Sequence, residues 1–487
     1  MRKIKKLAVL SVLVLTGLVC SDAPVCRGEG YDVYNYDRWG EAVPSQAGYE
    51  AVKSVSGNDL GVGAFSSPSD LFLDNDSSLF VVDSGNNRIL QVNESFDTVL
   101  DEFDHVVYKG KELPFKVPNG IFVSDDNTMY IADTENSRVI RCNSKHEADM
   151  IFEKPVSSLY PEELTFYPQK VIADKAGNVY VVVNNITGGA LMYNADGEFQ
   201  GFFGANRVEK TGKVIWDHFW KMFATDSMRK YMTSAVPSPV SNFDIDKDGF
   251  VYTCCDSSSK ETDLIKKVNA AGYNLFADIN AEFGDAPTAD YSNFPQNSFT
   301  DVDISDTGMI NCLDYTNGRI FQYDEDCNLL FVFGAKGDQL GTFGQVSAIE
   351  SNDKNIYVSD AQKNTITVFE ETDFGEIVHK ATNLYNDGYY EEALEPWREV
   401  LRRDGNYRRA FIGISGALLN KGDYKGAMKY AKLADSQERY NKAFEGYRRE
   451  FVRKYFGFIM AGVTVLAAGI IYFDIKRKIK RKRGGAS

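Results

Sequence analysis

The chain is poor in the residues that carry most site chemistry. Of its 487 residues only seven are cysteine and four are histidine. No two cysteines form a C-x-x-C pair, and no Cys/His spacing has the pattern of a metal site. His105, His146, His218 and His379 stand alone, without a partner at triad or metal spacing, so no general base can be named. Low-complexity tracts are absent, which leaves a chain able to fold: 43% of it is hydrophobic and 25% charged. In the middle of the chain acidic residues outnumber basic ones. The net charge is −15, but residues 24–374 alone sum to −28, which argues against nucleic acid as a partner of that region.

Each of the two ends carries a net positive charge beside an apolar run. Arg2, Lys3, Lys5 and Lys6 precede Leu7–Val19, the layout of a signal peptide, with cleavage expected after Ala23. Cys20 lacks the small preceding residue that lipidation needs. Residues 456–473, FGFIMAGVTVLAAGIIYF, hold no charge. As a helix they reach about 27 Å, close to the hydrocarbon thickness. The basic tail, 474–487, follows at once and reads as a cytoplasmic flank. The expected topology is a single-pass membrane protein with its large N-terminal part outside the cytoplasm. Six cysteines would remain after cleavage; Cys254 and Cys312 fall in strand-like runs, where free buried thiols are expected.

Between these ends one phrase recurs. LFVVDSGNNRIL at 79–90 returns as MYIADTENSRVI at 129–140 and as IYVSDAQKNTITV at 356–368. Six copies can be laid out, with first strands opening near Asp70, Gly120, Lys170, Asn242, Asp301 and Ser347. Each continues through a polar turn into a second and third strand, and some show a fourth. Four short strands per unit of this length predict the blades of a six-bladed β-propeller. The phrases PNGIFV at 118–123, YIADTENSRV at 130–139 and FVVDSGNNRI at 80–89 resemble the NHL-repeat family of propellers. The resemblance spans 46–373, and copies three and four depart from it. In the corner between strands two and three, Asp83 and Asp133 are expected to bond backbone, and Arg88 and Arg138 to lie across the next blade. The sixth copy ends after three strands. The orphan segment 49–57 is expected to supply its outer strand and close the ring. Residues 205–237, with Trp216, Phe219, Trp220 and Phe223 on one helical face, form a helical insertion, either packed on the rim or acting as a lid or partner face.

From 375 the period changes to helical. LYNDGYYEEAL at 384–394 and LLNKGDYKGAM at 418–428 are the same phrase and are similar to tetratricopeptide repeats. The resemblance implies two helix pairs over 375–454, serving as a stalk or as a protein-binding site, with a further helix from about 437 running into the span.

Two places invite a ligand. DIDKDG at 244–249 opens like a calcium loop, but Cys255 stands where that loop needs Glu, so it reads as a hairpin turn. The second place is the axial mouth, where first strands begin: Asp70, Asn119, Gln169, Lys170, Asn242 and Asp301 are the candidate ligand-binding residues. Paired with their neighbours they read Ser69/Asp70, Asn119/Gly120, Gln169/Lys170, Ser241/Asn242, Thr300/Asp301 and Val346/Ser347. Asp70, Lys170, Asn242 and Asp301 depart from the Gly that the repeat prefers. No cofactor is otherwise implied, although such a ring could hold Ca2+ or another divalent ion, as in the related six-bladed lactonases of the gluconolactonase family. That family's Glu-Asn-Asn-Asp set is not reproduced here. The reading is a membrane-anchored extracytoplasmic binding or scaffold protein with a protein partner, associated with a transporter or envelope complex. The rival is a metal-dependent lactonase-like or lyase-like propeller enzyme. Protease added to intact protoplasts should digest the propeller and spare a short fragment bearing the tail; a fully protected propeller would reverse the topology.

Overall fold

The computed structural model describes residues 30–160, 162–205, 238–255, 264–279, 281, 283–285, 297–352 and 354–484. The leader, Cys26, His218 and residues 206–237 of the expected helical insertion lie outside these.

Six sheets, antiparallel within each blade, stand around a common axis. Their first strands are Asp70–Leu73, Pro118–Val123, Pro168–Ala173, Val240–Ile245, Phe299–Ile304 and Val346–Ser351. Second strands such as Leu79–Asp83, Met129–Asp133 and Val179–Val183 are buried along their whole length. They lie between neighbouring blades, so both faces must be apolar, and β-branched residues suit that position. The hydrophobic cores therefore sit between blades. One joins Phe80 and Val82 to Ile121 and Ile131; another joins Tyr252 and Cys254 to Val302 and Cys312. The five described cysteines form no disulfide with one another, and four of them are buried.

The repeated phrase builds a corner. Asp83 is fully buried; its carboxylate accepts from Ser66 N at 2.7 Å and from Asn86 Nδ2 and Arg88 Nε at 2.8 Å each. Asp133 repeats this with Lys116 N, Asn136 and Arg138. The arginines do not cross to the next blade as expected. Arg88 and Arg138 turn back to the carbonyls of Val62 and Pro114, in the segments leading into their own blades. The link onward is the hydroxyl after each Asp: Ser84 Oγ donates to Pro118 O, and Thr134 Oγ1 to Pro168 O. Blades three and four have Val183 and Cys255 in place of the Asp, as their altered phrases imply.

Tyr49–Ser56 pairs antiparallel with Thr365–Glu371, so the N-terminal strand is the outer strand of blade six. Among the described residues two hairpins have no counterpart in the repeat. His105–Tyr108 with Lys111–Pro114 extends blade two, and Tyr34–Tyr36 with Ala42–Pro44 extends blade five.

Five helices follow: α1 Asp373–Asn386, α2 Tyr390–Arg403, α3 Arg408–Asn420, α4 Tyr424–Leu433 and α5 Gln437–Gly484. The twin phrases are the α1–α2 and α3–α4 turns, with Gly388 and Gly422 at φ +85° and +83°. Glycine takes that left-handed conformation at no steric cost. Ala393 and Ala427 are fully buried where the helices of each pair meet. These helices do not form a separate stack. Phe374, Trp397 and Tyr407 share one core with Phe331 and Phe333 of blade five and Phe369 of blade six. Inside that joint Arg409 pairs with Asp324 at 2.8 Å, both buried. Tyr407 OH donates to Leu330 O at 2.9 Å. The last helix runs without a break from the joint through the apolar segment, whose side chains are exposed.

Removing residues 46–57 should leave the Thr365–Glu371 edge open and uncover the joint. We expect a fall of roughly 10 °C or more in melting temperature, with aggregation. An unchanged melting curve would show that this strand does not close the ring.

Candidate functional site

Along a strand every second residue faces the same way, so each first strand sends alternate side chains into the channel. The pairing register places Asp70, Gly120, Lys170, Asn242, Asp301 and Ala348 at one level. Blade six was read one residue early: Ser347/Ala348, not Val346/Ser347, is its pair. Val346 holds the place of Pro118 and Pro168, and without the proline marker the bulge before Ala348 is not visible in the sequence.

The structure brings four of the six candidates together. Lys170 Nζ pairs with an Asp70 carboxylate oxygen and donates to Ser69 O at 3.1 Å. Asn242 Nδ2 donates to Asp301. Asn119 and Gln169 lie one position earlier and bond each other, Nδ2 to Oε1, at 2.9 Å. The acids at this level act first as staples between blades. Asp70 accepts from Ile121 N of the next blade at 2.9 Å, and Asp301 from Ile349 N at 2.8 Å. Burial pushes the Asp70 carboxyl up against the pull of Lys170. Burial also pushes Asp301 up to about 8, again opposed by Lys170. The cation beside Asp70 is thus the protein's own ammonium, and only about 20 Å3 remains beside the cluster, room for one water.

The next level down escaped the sequence reading. It holds Phe72, Phe122 and Ile172 on one side and Asp244, Asp303 and Glu350 on the other. Alternation within each first strand could have found it, had the channel-facing phase been known. Asp244 accepts from Ile304 N at 2.8 Å. Asp303 accepts from Asn311 Nδ2 at 2.7 Å and Ser351 Oγ at 2.5 Å. Glu350 has no hydrogen-bond partner among the described residues. Burial holds all three carboxyls above the usual range; Asp303 is the main repelling neighbour of Asp244 and Glu350, while Asp306 repels Asp303.

Below this level the channel widens into a funnel of about 870 Å3 bounded by the turns between strands one and two. Twelve Asp or Glu and four Lys line it. The calcium-like stretch is one of these turns: Asp246 Oδ1 accepts from Asp248 N and Phe250 N, as Asp74 and Asp174 do in their blades. No three His, Cys, Asp or Glu among the described residues are grouped so as to hold a metal ion. His379 does have partners: Nδ1 meets Glu371, and Nε2 lies 2.7 Å from Gln322 Oε1.

A carboxyl whose folded-state pKa is raised keeps its proton where the unfolded chain has lost it. Stability therefore falls as pH rises through the window from about 4 to about 8. The melting temperature should decline from pH 5 to pH 8, and Glu350→Gln should make that decline shallower and melt higher than the wild type at pH 8. A variant that melts lower at pH 8 would contradict the crowding.

No protein-family model matches the chain, and no curated protein matches it. Among solved structures it is similar to the virginiamycin B lyase of Staphylococcus aureus: 9% identity, TM-score 0.41, covering 66% of this chain and all of the other. It is similar to the hydrazine synthase of Kuenenia stuttgartiensis at 11% identity and TM-score 0.39, over 63% of this chain and 96% of that one. It is also similar to a putative gluconolactonase at 11% identity and TM-score 0.39, over 67% and 94%. At these identities no residue role passes from those proteins to this chain.

Proposed function

We propose that the protein is a membrane-tethered binding platform outside the cytoplasm, whose acidic funnel receives a cationic ligand or a basic segment of a partner protein. The observation that carries this reading is Glu350: a carboxyl without a hydrogen-bond partner among the described residues, at the base of a funnel lined by twelve acids and four lysines. Such a concentration of one sign attracts cations and focuses the field inside low-dielectric walls. The opposite wall is apolar, from Phe72 and Phe122, so an aliphatic or aromatic stem beside the charge has a surface to lie on. The helices serve as a rigid stalk, since their core is shared with blades five and six and α5 continues into the candidate span.

The raised carboxyls give the binding a pH signature. A cation entering beside Glu350 offsets the repulsion from Asp303 and Asp244, and the Glu350 proton leaves to water. Affinity should therefore rise with pH. The test is calorimetry of a tetra-arginine peptide with the full chain in lipid nanodiscs. Binding should strengthen from pH 6 to pH 8 and weaken as salt is raised toward 0.2 M. Glu350→Gln should weaken it about fivefold at pH 8. Absence of binding heat at low salt and pH 8 would end this reading.

A further inference from the structure

Blade five carries a continuous line of buried polar side chains from the channel to the helices. Asp303 on its first strand accepts from Asn311 on the second at 2.7 Å. Asn311 Oδ1 accepts from Gln322 Nε2 on the third at 3.0 Å. Gln322 Oε1 lies 2.7 Å from Nε2 of His379, on α1. His379 Nδ1 meets Glu371, the last residue of blade six's third strand. The line breaks the rule of the fold. Where blade five has Asn311, the other blades have Phe80, Tyr130, Tyr180, Tyr252 and Tyr357. Asn311 and Gln322 are almost wholly buried, so each must be satisfied inside the protein.

The line has a direction that chemistry fixes. Above about pH 6 Asp303 is ionised and its carboxylate only accepts, so the Asn311 amide nitrogen faces Asp303 and its oxygen faces Gln322. Gln322 then turns its nitrogen inward, where it also donates to Tyr49 OH at 3.1 Å, and its oxygen toward His379. That oxygen cannot donate, so His379 Nε2 must carry a proton. The contact between Nδ1 and Glu371 then needs one further proton, carried by one of the two partners.

We propose that this line is a relay that ties the hydrogen-bonding state of His379, at the joint between propeller and helices, to the acceptor at Asp303 in the channel. If the acceptor at Asp303 is lost, both amides can reverse. His379 Nε2 then becomes an acceptor, its proton passes to water, and Nδ1–H alone donates to Glu371. The relay does not depend on what enters the funnel. The titratable groups facing Asp303 are Asp244 and Glu350 from adjacent blades and Asp306 beyond its own strand. Facing His379 are Glu371 and the phenol of Tyr49, whose ring centre lies 5.9 Å from the imidazole.

The test reads the imidazole nitrogens by 15N NMR of the histidine-labelled full chain in nanodiscs, with His379 identified by the signals lost in His379→Gln. Nε2 should be protonated in the wild type. Asp303→Asn, which can accept or donate, should lower the ratio of protonated to bare Nε2 at least about threefold, the scale of one modest hydrogen bond. Gln322→Met cuts the line with the residue blade three has at that place, Met192. In that background Asp303→Asn should change nothing at His379. Should Gln322→Met not fold, Asn311→Tyr makes the same cut with the residue of the other blades. A bare Nε2 in the wild type, or an equal effect of Asp303→Asn with and without the cut, overturns the relay.

Discussion

The architecture depends on the pairing of Tyr49–Ser56 with Thr365–Glu371. A propeller has no ends to its sheet stack only if its last blade is completed by the start of the chain, since an open blade exposes a row of unpaired backbone groups. The same strand also fixes the helices. Gly48, just before it, accepts from Thr372 N at 3.0 Å, and Thr372 Oγ1 caps α1 by accepting from Gly375 N at 3.1 Å. Tyr49 stacks on Phe333 and bonds Gln322. Ring closure and attachment of the stalk are thus one event, and the polar line through blade five runs beside it.

Charge placement follows from the same geometry. A ring of six first strands brings together side chains far apart in sequence, and the carboxylates among them meet in a narrow channel. Those that reach a backbone N–H of the next blade, Asp70, Asp244 and Asp301, help to hold the blades in register. Among the described residues Glu350 has no such bond, and the channel thereby keeps an acid whose charge answers to its surroundings.

How much of this was legible is clearest in particular residues. The corner Asp83 and Asp133, the closing strand and the two helical turns could all be read from repeated phrases, because each uses a local motif whose residue types its geometry demands. The hairpins at 34–44 and 105–114 are single and short, so no repetition announced them. The direction of Arg88 was misjudged because the partner lies in a loop, the carbonyl of Val62, which no pattern marks. His379 looked solitary because Gln322 and Glu371 are ordinary residues until helix and blades are packed together.

Sequence alone determined the number of blades, the change from strand to helix near 375 and the apolar stretch, since periodicity and composition are properties of neighbours along the chain. Tertiary structure decided which first-strand residues face the channel, that Lys170 neutralises Asp70, and that Asp244, Asp303 and Glu350 crowd together. It also decided that the helices are continuous with the propeller core. These depend on distances between residues tens to hundreds of positions apart, and on a bulge that shifts the side-chain phase by one residue; no local pattern carries that information.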